Sequence, residues 1–135
     1  NMPRAKIFMG DVCSGFLGGI LGVIALYMGQ FNVRYLWVWG ILMGVFLVDA
    51  SVTLLRRILR REKIWQAHCQ HAYQHAAKAL GSHAKVTARL FIINSLWLAP
   101  WAYIAWLGWC SPLMAMIIAY MPLLGLAWYW RAGCV

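Results

Sequence analysis

Acidic side chains are scarce in this chain: Asp11, Asp49 and Glu62 are the three carboxylates in 135 residues. Asp11 stands in Phe8-Met9-Gly10-Asp11-Val12-Cys13-Ser14-Gly15, where a polar stretch gives way to an apolar run. Two chemistries suit it there. It can act as a helix N-cap, accepting from free backbone N–H groups at the positive end of the dipole. It can also be a hard oxygen ligand for Mg²⁺, an ion held by one or two carboxylates together with substrate phosphates. Asp49 lies near the end of a second apolar run, in Val48-Asp49-Ala50-Ser51-Val52-Thr53. An ionisable group so deep turns to the bundle interior and a partner. Thr53, four residues on, is in reach for a local hydrogen bond.

The basic counterpart is Arg56-Arg57-Ile58-Leu59-Arg60-Arg61-Glu62-Lys63, followed by a segment carrying His68, Cys69, His71 and His75. On one continuous helix, His68, His71 and His75 share a face that Lys78 and Ser82 extend. Such a face can be solvated, can hold a transition metal, or can receive an anionic group with His and Arg as donors to phosphate oxygens. The arginine pairs Arg56/Arg57 and Arg60/Arg61 also suit anchoring beside anionic lipid.

These groups need elements to hold them, and the hydropathy pattern supplies helices. The chain is 64% hydrophobic and 11% charged, against roughly 25% charged in a soluble domain. Four apolar runs, about 12–29, 35–55, 88–107 and 113–130, are near the length needed to cross a ~30 Å hydrocarbon core and flank a polar loop, 56–87. Many of the nine Trp and six Tyr lie near the ends of these runs, where headgroup belts take amphipathic rings. The first run is rich in small residues, which let helix backbones approach closely in lipid. Pro100 is expected to kink the third. The fold class is therefore all-α integral membrane protein, about four transmembrane helices of a larger polytopic bundle with a cytoplasmic helical loop.

With these spans, every Lys and Arg except Arg34 falls on one side. The positive-inside rule makes that side cytoplasmic, with both termini and the loop. The net charge of +9 is thus explained by a membrane surface or phosphate ligands rather than by nucleic acid, for which no binding pattern is present. Cys13, Cys69, Cys110 and Cys134 show no paired spacing, and Cys13, Cys69 and Cys134 fall on the reducing side.

Asn1-Met2-Pro3, Ala5-Lys6-Ile7-Phe8-Met9-Gly10-Asp11-Val12 and Ser14-Gly15-Phe16-Leu17-Gly18 together resemble the Phe-Met-Gly-Asp-Val-Gly-Ser segment of polyprenyl-phosphate sugar-1-phosphate transferases. This is the MraY/WecA superfamily, glycosyltransferase family 4. Val48 through Arg57, with Ala67-His68 and His71-Ala72-Tyr73-Gln74, is most similar to the branch that starts O-antigen repeat units. The resemblance covers about residues 1–98.

It implies a Mg²⁺-dependent exchange, with Mn²⁺ as an alternative ion. Undecaprenyl phosphate takes a sugar-1-phosphate from a UDP-N-acetylhexosamine and UMP is released, at the inner membrane of a bacterium. By the resemblance, Asp11 is the metal ligand and His71 opens the histidine motif of the nucleotide-sugar site, making these two the catalytic candidates. Tyr73 and Gln74 stand where other branches have further histidines. With His68, His75, Arg56 and Arg57 they are the expected substrate-binding set. Cys13 stands where the family has Gly, adding a side chain to an expected tight turn. The family's paired-aspartate motif has no counterpart here, so the chain is expected to be a C-terminal part, inactive alone, with homodimerisation left open. The alternative is a small non-enzymatic membrane protein whose His loop binds a metal or scaffolds a partner.

Overall fold

A computed structural model describes residues 10–62, 71–130 and 132–133, with Asp11 described by its backbone alone. Among the described residues the chain is helical with no strand: α1 (Asp11–Phe31), α2 (Arg34–Leu42), α3 (Gly44–Leu59), α4 (Ala72–Leu80), α5 (His83–Ile93), α6 (Ala99–Leu107) and α7 (Pro112–Tyr129). The chain is an all-α membrane protein. Val12–Phe31, His83–Leu107 and Pro112–Tyr129 are each long and apolar enough to cross a bilayer.

Gly10, not Asp11, is the N-cap of α1, and the Ser14 N–H bonds back to the Gly10 carbonyl at 3.1 Å. Asp11 is the first helical residue, still at the positive end of the dipole. Cys13 is exposed within the helix, so the tight turn expected there is absent and its side chain meets no backbone constraint. At the other end, the Asn32 side chain accepts from the Arg34 N–H at 2.9 Å, a turn that starts α2 immediately. Close approach of α1 and α2 depends on Gly29, where a Cβ would lie 2.6 Å from Leu36 Cγ.

The second apolar run is not the single straight span its length predicts. It breaks at Met43, and α2 and α3 meet at a bend of 71°. The cause lies partly in two glycines and partly in α7. Gly44 leaves space for the Tyr120 ring: a Cβ there would sit 2.8 Å from Tyr120 Cε1 and 3.2 Å from Leu123 Cδ1. The Tyr120 hydroxyl donates to the Gly40 carbonyl at 2.6 Å. A polar backbone group freed at membrane depth must find a donor within the protein, and Tyr120 is that donor.

The third expected span begins earlier than its hydropathy indicates. The helix starts at His83, after Gly81 in the left-handed region (φ 62°) and the Ser82 N-cap, whose hydroxyl accepts from the Lys85 N–H at 3.5 Å. Lys85 and Arg89 are exposed along its first turns, where long cationic side chains can reach the interface. Upstream of Pro100, where a kink is expected, the helix widens into a π-helical turn, Asn94–Leu98. There the Ala99 N–H bonds the Asn94 carbonyl five residues back. The wider turn makes room ahead of a ring that cannot donate to the helix ladder.

Small residues bring these helices together. Ala102, Ala105, Ala115, Ala119 and Ala127 are buried with Ile41, Val48, Leu98 and Leu123 in one core, where α2 packs on α6 and α3 on α7. A second cluster, Ala76, Ala77 and Val86 with Leu80, Leu90 and Trp130, seats the α4–α5 hairpin beside the end of α7.

Candidate functional site

The site is built around the start of α4. A helix begins with four backbone N–H groups that have no partner in the helix, and here each finds one. The His71 N–H donates to Gln74 Oε1 at 3.2 Å, while the Gln74 N–H donates to the His71 carbonyl at 3.0 Å and faces the His71 side chain, a reciprocal cap. The two between them go to Asp49 on α3. Ala72 N–H donates to Oδ1 at 2.8 Å and Tyr73 N–H to Oδ2 at 3.5 Å. Asp49 also accepts from the Thr53 hydroxyl at 3.3 Å, the local bond its spacing predicts. The carboxylate is 14% exposed, and His71 Nδ1 lies 3.7 Å from its Oδ1, beyond hydrogen-bonding distance but close for two polar groups.

This cap overturns the continuous histidine face. His71 has extended backbone (φ −71°, ψ 146°) and precedes the helix instead of lying in it, and Ser82 caps the next one. Of the five stripe positions, His75 and Lys78 are the two within α4. His68 lies outside the described residues, as does Cys69. Among the described residues, no three His, Cys, Asp or Glu side chains converge as a metal site would need.

His71 and Tyr73 stack, ring centroids 5.9 Å apart and planes inclined at 27°. Their rings border a cleft of about 540 Å³ that Ser14, Met43, Asp49 and Asn94 also line. Ser14 is on the first turn of α1, three residues after Asp11 and so on the same helix face. The opening of α1 and the His71 segment therefore share one cleft, reached across the α2–α3 break. Gln74 serves the cap rather than the cleft wall. His75 turns a buried Nε2 inward that has no hydrogen-bond partner.

The arginines are engaged elsewhere. Arg57 is buried, its Nε 3.2 Å from Glu62 Oε2. Arg56 Nη1 donates to the Ala132 carbonyl at 2.5 Å, and its guanidinium lies 4.8 Å from the Trp128 ring centre. Arg60 Nη1 donates to the Gly133 carbonyl at 2.9 Å. These bonds tie the end of α3 to the turn after α7, and neither Arg56 nor Arg57 lines the cleft.

Two site features escape a sequence reading. Asp49 as the cap of α4 joins positions 23 residues apart. Asn94 opens the π-helical turn with a buried Oδ1 that lacks a partner. A single carboxamide in an apolar run was the available signal.

Three transferases among known proteins resemble part of the chain. The chain is 37% identical over 93 residues to a phospho-N-acetylmuramoyl-pentapeptide-transferase of Endomicrobium trichonymphae, covering 68% of this chain and 24% of the relative. It is 33% identical over 98 residues to a probable undecaprenyl-phosphate N-acetylglucosaminyl 1-phosphate transferase of Bacillus subtilis (strain 168), covering 70% and 27%. A phospho-N-acetylmuramoyl-pentapeptide-transferase of Orientia tsutsugamushi (strain Ikeda) is 29% identical over 99 residues, covering 70% and 25%. No family model matches the chain, and no solved structure matches it. Over the matched residues the chain is similar to these transferases. It spans about a quarter of the length of the curated relatives it matches.

Proposed function

We propose that this chain supplies one wall of the active site of a transferase that moves a sugar-1-phosphate from a UDP-N-acetylhexosamine to undecaprenyl phosphate. A lipid phosphate oxygen attacks the β-phosphorus, the bond to the bridging oxygen breaks, and UMP leaves with that oxygen. The products are the undecaprenyl-diphospho-sugar and UMP. Among the branches, the one that starts O-antigen repeat units is favoured by Val48 through Arg57 and by His71-Ala72-Tyr73-Gln74. The one observation that carries the reading is the shared cleft. Ser14, one turn into the helix that Asp11 opens, and His71 with Tyr73 line the same 540 Å³.

Phosphoryl transfer needs positioning and charge neutralisation more than a covalent relay. Asp11 would hold Mg²⁺, and that ion would neutralise charge on the diphosphate. His71 lines the cleft, and a ring N–H of its imidazole is a donor for a phosphate oxygen. The exposed Tyr73 hydroxyl is a second. The apolar remainder of the cleft, at Leu42, Val45, Phe46 and Leu90, suits the lipid end of the acceptor. This assignment puts the α1 opening, the loop and the end of α7 on the cytoplasmic side.

The test is a graft. The part of this chain that matches the Bacillus subtilis relative, extended where needed to include Asp11, Asp49 and His71, replaces its counterpart there, and membranes are assayed with radiolabelled UDP-GlcNAc and undecaprenyl phosphate. Activity is expected to need Mg²⁺ and to fall by about 10²–10³-fold in Asp11→Asn, the order seen when one transition-state electrostatic contact is removed. An Asp11→Asn graft as active as its parent would overturn the assignment.

A further inference from the structure

The proposed chemistry uses Asp11, His71 and Tyr73, and leaves Asp49 without a part. Yet Asp49 takes the N–H groups of both Ala72 and Tyr73 from another helix. We propose that Asp49 is the positioning residue of this site. It seats the His71–Gln74 segment against α3, so that the imidazole and the Tyr73 ring face the opening of α1. The inference rests on the transferase reading for its purpose and on the cap for its evidence.

Apolar packing holds the body of α4, through Ala76 and Ala77, three or more residues beyond the amides that Asp49 takes. α4 is nine residues long, short of the roughly 12–15 at which an isolated helix becomes even marginal in water. Its own reciprocal cap, His71 with Gln74, satisfies two N–H groups but fixes nothing outside the segment. A Ser or Asp at position 71 could cap the helix locally in the same way. A carboxylate on α3 does something different, because the acceptor belongs to a membrane helix packed on α7. It is oriented by Thr53, which is 1% exposed. The charge lies at the positive end of the α4 dipole, where it is most favourable. Both cleft-facing aromatic groups, His71 and Tyr73, are within one residue of an amide that Asp49 holds.

A consequence distinguishes this role from substrate binding. A helix N-terminus is an anion site when its amides are free. Here Ala72 and Tyr73 have already given theirs to Asp49, so the diphosphate is left to side-chain donors and to the metal.

The test uses the whole chain in lipid nanodiscs, comparing wild type, Asp49→Ala and Asp49→Asn. Amide exchange of the peptide covering His71–His75 is followed by mass spectrometry, together with the rate at which diethylpyrocarbonate modifies His71 relative to the exposed His83. In Asp49→Ala, exchange in this peptide should rise about 2- to 30-fold, the range spanned by losing an N-cap acceptor. His71 should react faster, while α3 and α7 exchange as in wild type. Asp49→Asn keeps one acceptor for the Ala72 N–H and should fall between. Unchanged exchange in Asp49→Ala, or an equal rise in every helix, would sink the proposal, since the first denies the tether and the second makes Asp49 a general stability residue. In the graft, Asp49→Ala should raise KM for UDP-GlcNAc and leave KM for undecaprenyl phosphate alone. A fall in kcat with both KM values fixed counts against positioning. A parent graft that makes no lipid-linked sugar removes the transferase reading, and the exchange pattern still decides the role of Asp49.

Discussion

Replacing Tyr120 with Phe removes one oxygen and tests why the second membrane segment bends. Tyr120 reaches the Gly40 carbonyl at 2.6 Å, and its ring fills the space that Gly44 leaves open. Phe keeps the ring and loses the donor, so packing is nearly constant and the change reads the hydrogen bond. A buried acceptor left without a partner costs about 1–3 kcal/mol, and water is not at hand to replace the donor at this depth. That corresponds to roughly a 5- to 160-fold change in the folded-to-unfolded ratio. Gly44→Ala acts on the same joint from the other side. Its Cβ would meet Tyr120 Cε1 at 2.8 Å, an overpacking that costs about 1–3 kcal/mol. Because the ring must move to admit the methyl group, the hydroxyl loses its line to Gly40 as well. The two substitutions share one contact, so the double mutant should be less destabilised than the sum by about 0.5–3 kcal/mol. Reversible unfolding in mixed micelles, followed by far-ultraviolet circular dichroism, measures all four states of the cycle. A Tyr120→Phe loss below about 0.5 kcal/mol, the scatter of neutral surface changes, would refute the account of the bend.

Three further outcomes are expected. Arg61 has φ 57° at the end of α3, where the Glu62 N–H bonds the Arg57 carbonyl at 3.0 Å, the pattern of a Schellman cap that favours Gly. Arg61→Gly should therefore raise stability by up to about 1 kcal/mol, and a loss in the same unfolding assay would contradict the strain. Gly133→Ala combines a φ of 72° with a Cβ 3.0 Å from Arg56 Cβ and 3.1 Å from the Thr53 carbonyl. It should loosen the turn after α7, read as faster amide exchange at Ala132, and unchanged exchange would deny that Arg56 and Arg60 clamp it. Finally, the 135 residues alone should release no UMP from UDP-GlcNAc in the presence of undecaprenyl phosphate and Mg²⁺, and measurable turnover would show that this wall suffices.

The helices and their membrane character were legible because run length and charge placement are local properties. α1 and α7 lie within two residues of the expected spans at each end. What was hidden depends on partners far along the chain. Gly40 and Gly44 are visible in the second run, but the bend also needs Tyr120, 80 residues on from Gly40. The arginine pairs read as lipid anchors or phosphate donors, and the structure engages Arg56 and Arg60 with carbonyls 76 and 73 residues away. The histidine stripe is a different kind of error. His-x-x-Gln at positions 71–74 has the spacing of a reciprocal cap, so the sequence did contain the signal that His71 ends an extended stretch. The helical period was simply assigned across it.

On the proposed transferase reading, the position of Asp49 makes a metal the expected partner of a diphosphate in this cleft. A diphosphate drawn to the His71 N–H approaches a carboxylate that lies 3.7 Å from the other side of the ring. At a separation of about 8 Å across the ring and an effective dielectric near 20, each pair of like unit charges costs roughly 2 kcal/mol. The α4 dipole and two amide donors offset part of the carboxylate charge, but a doubly charged ligand meets the remainder. Arg56 and Arg57 do not line the cleft, so the chain's densest positive charge is not where the diphosphate would sit. On that reading neutralisation would come from the Asp11 side, where the carboxylate would hold a hard divalent cation. The carboxylate proposed to seat the histidine would then make anion binding at that histidine conditional on the ion. UDP-sugar affinity in the graft should accordingly depend on Mg²⁺ more steeply in wild type than in Asp49→Asn, where the repulsion is gone.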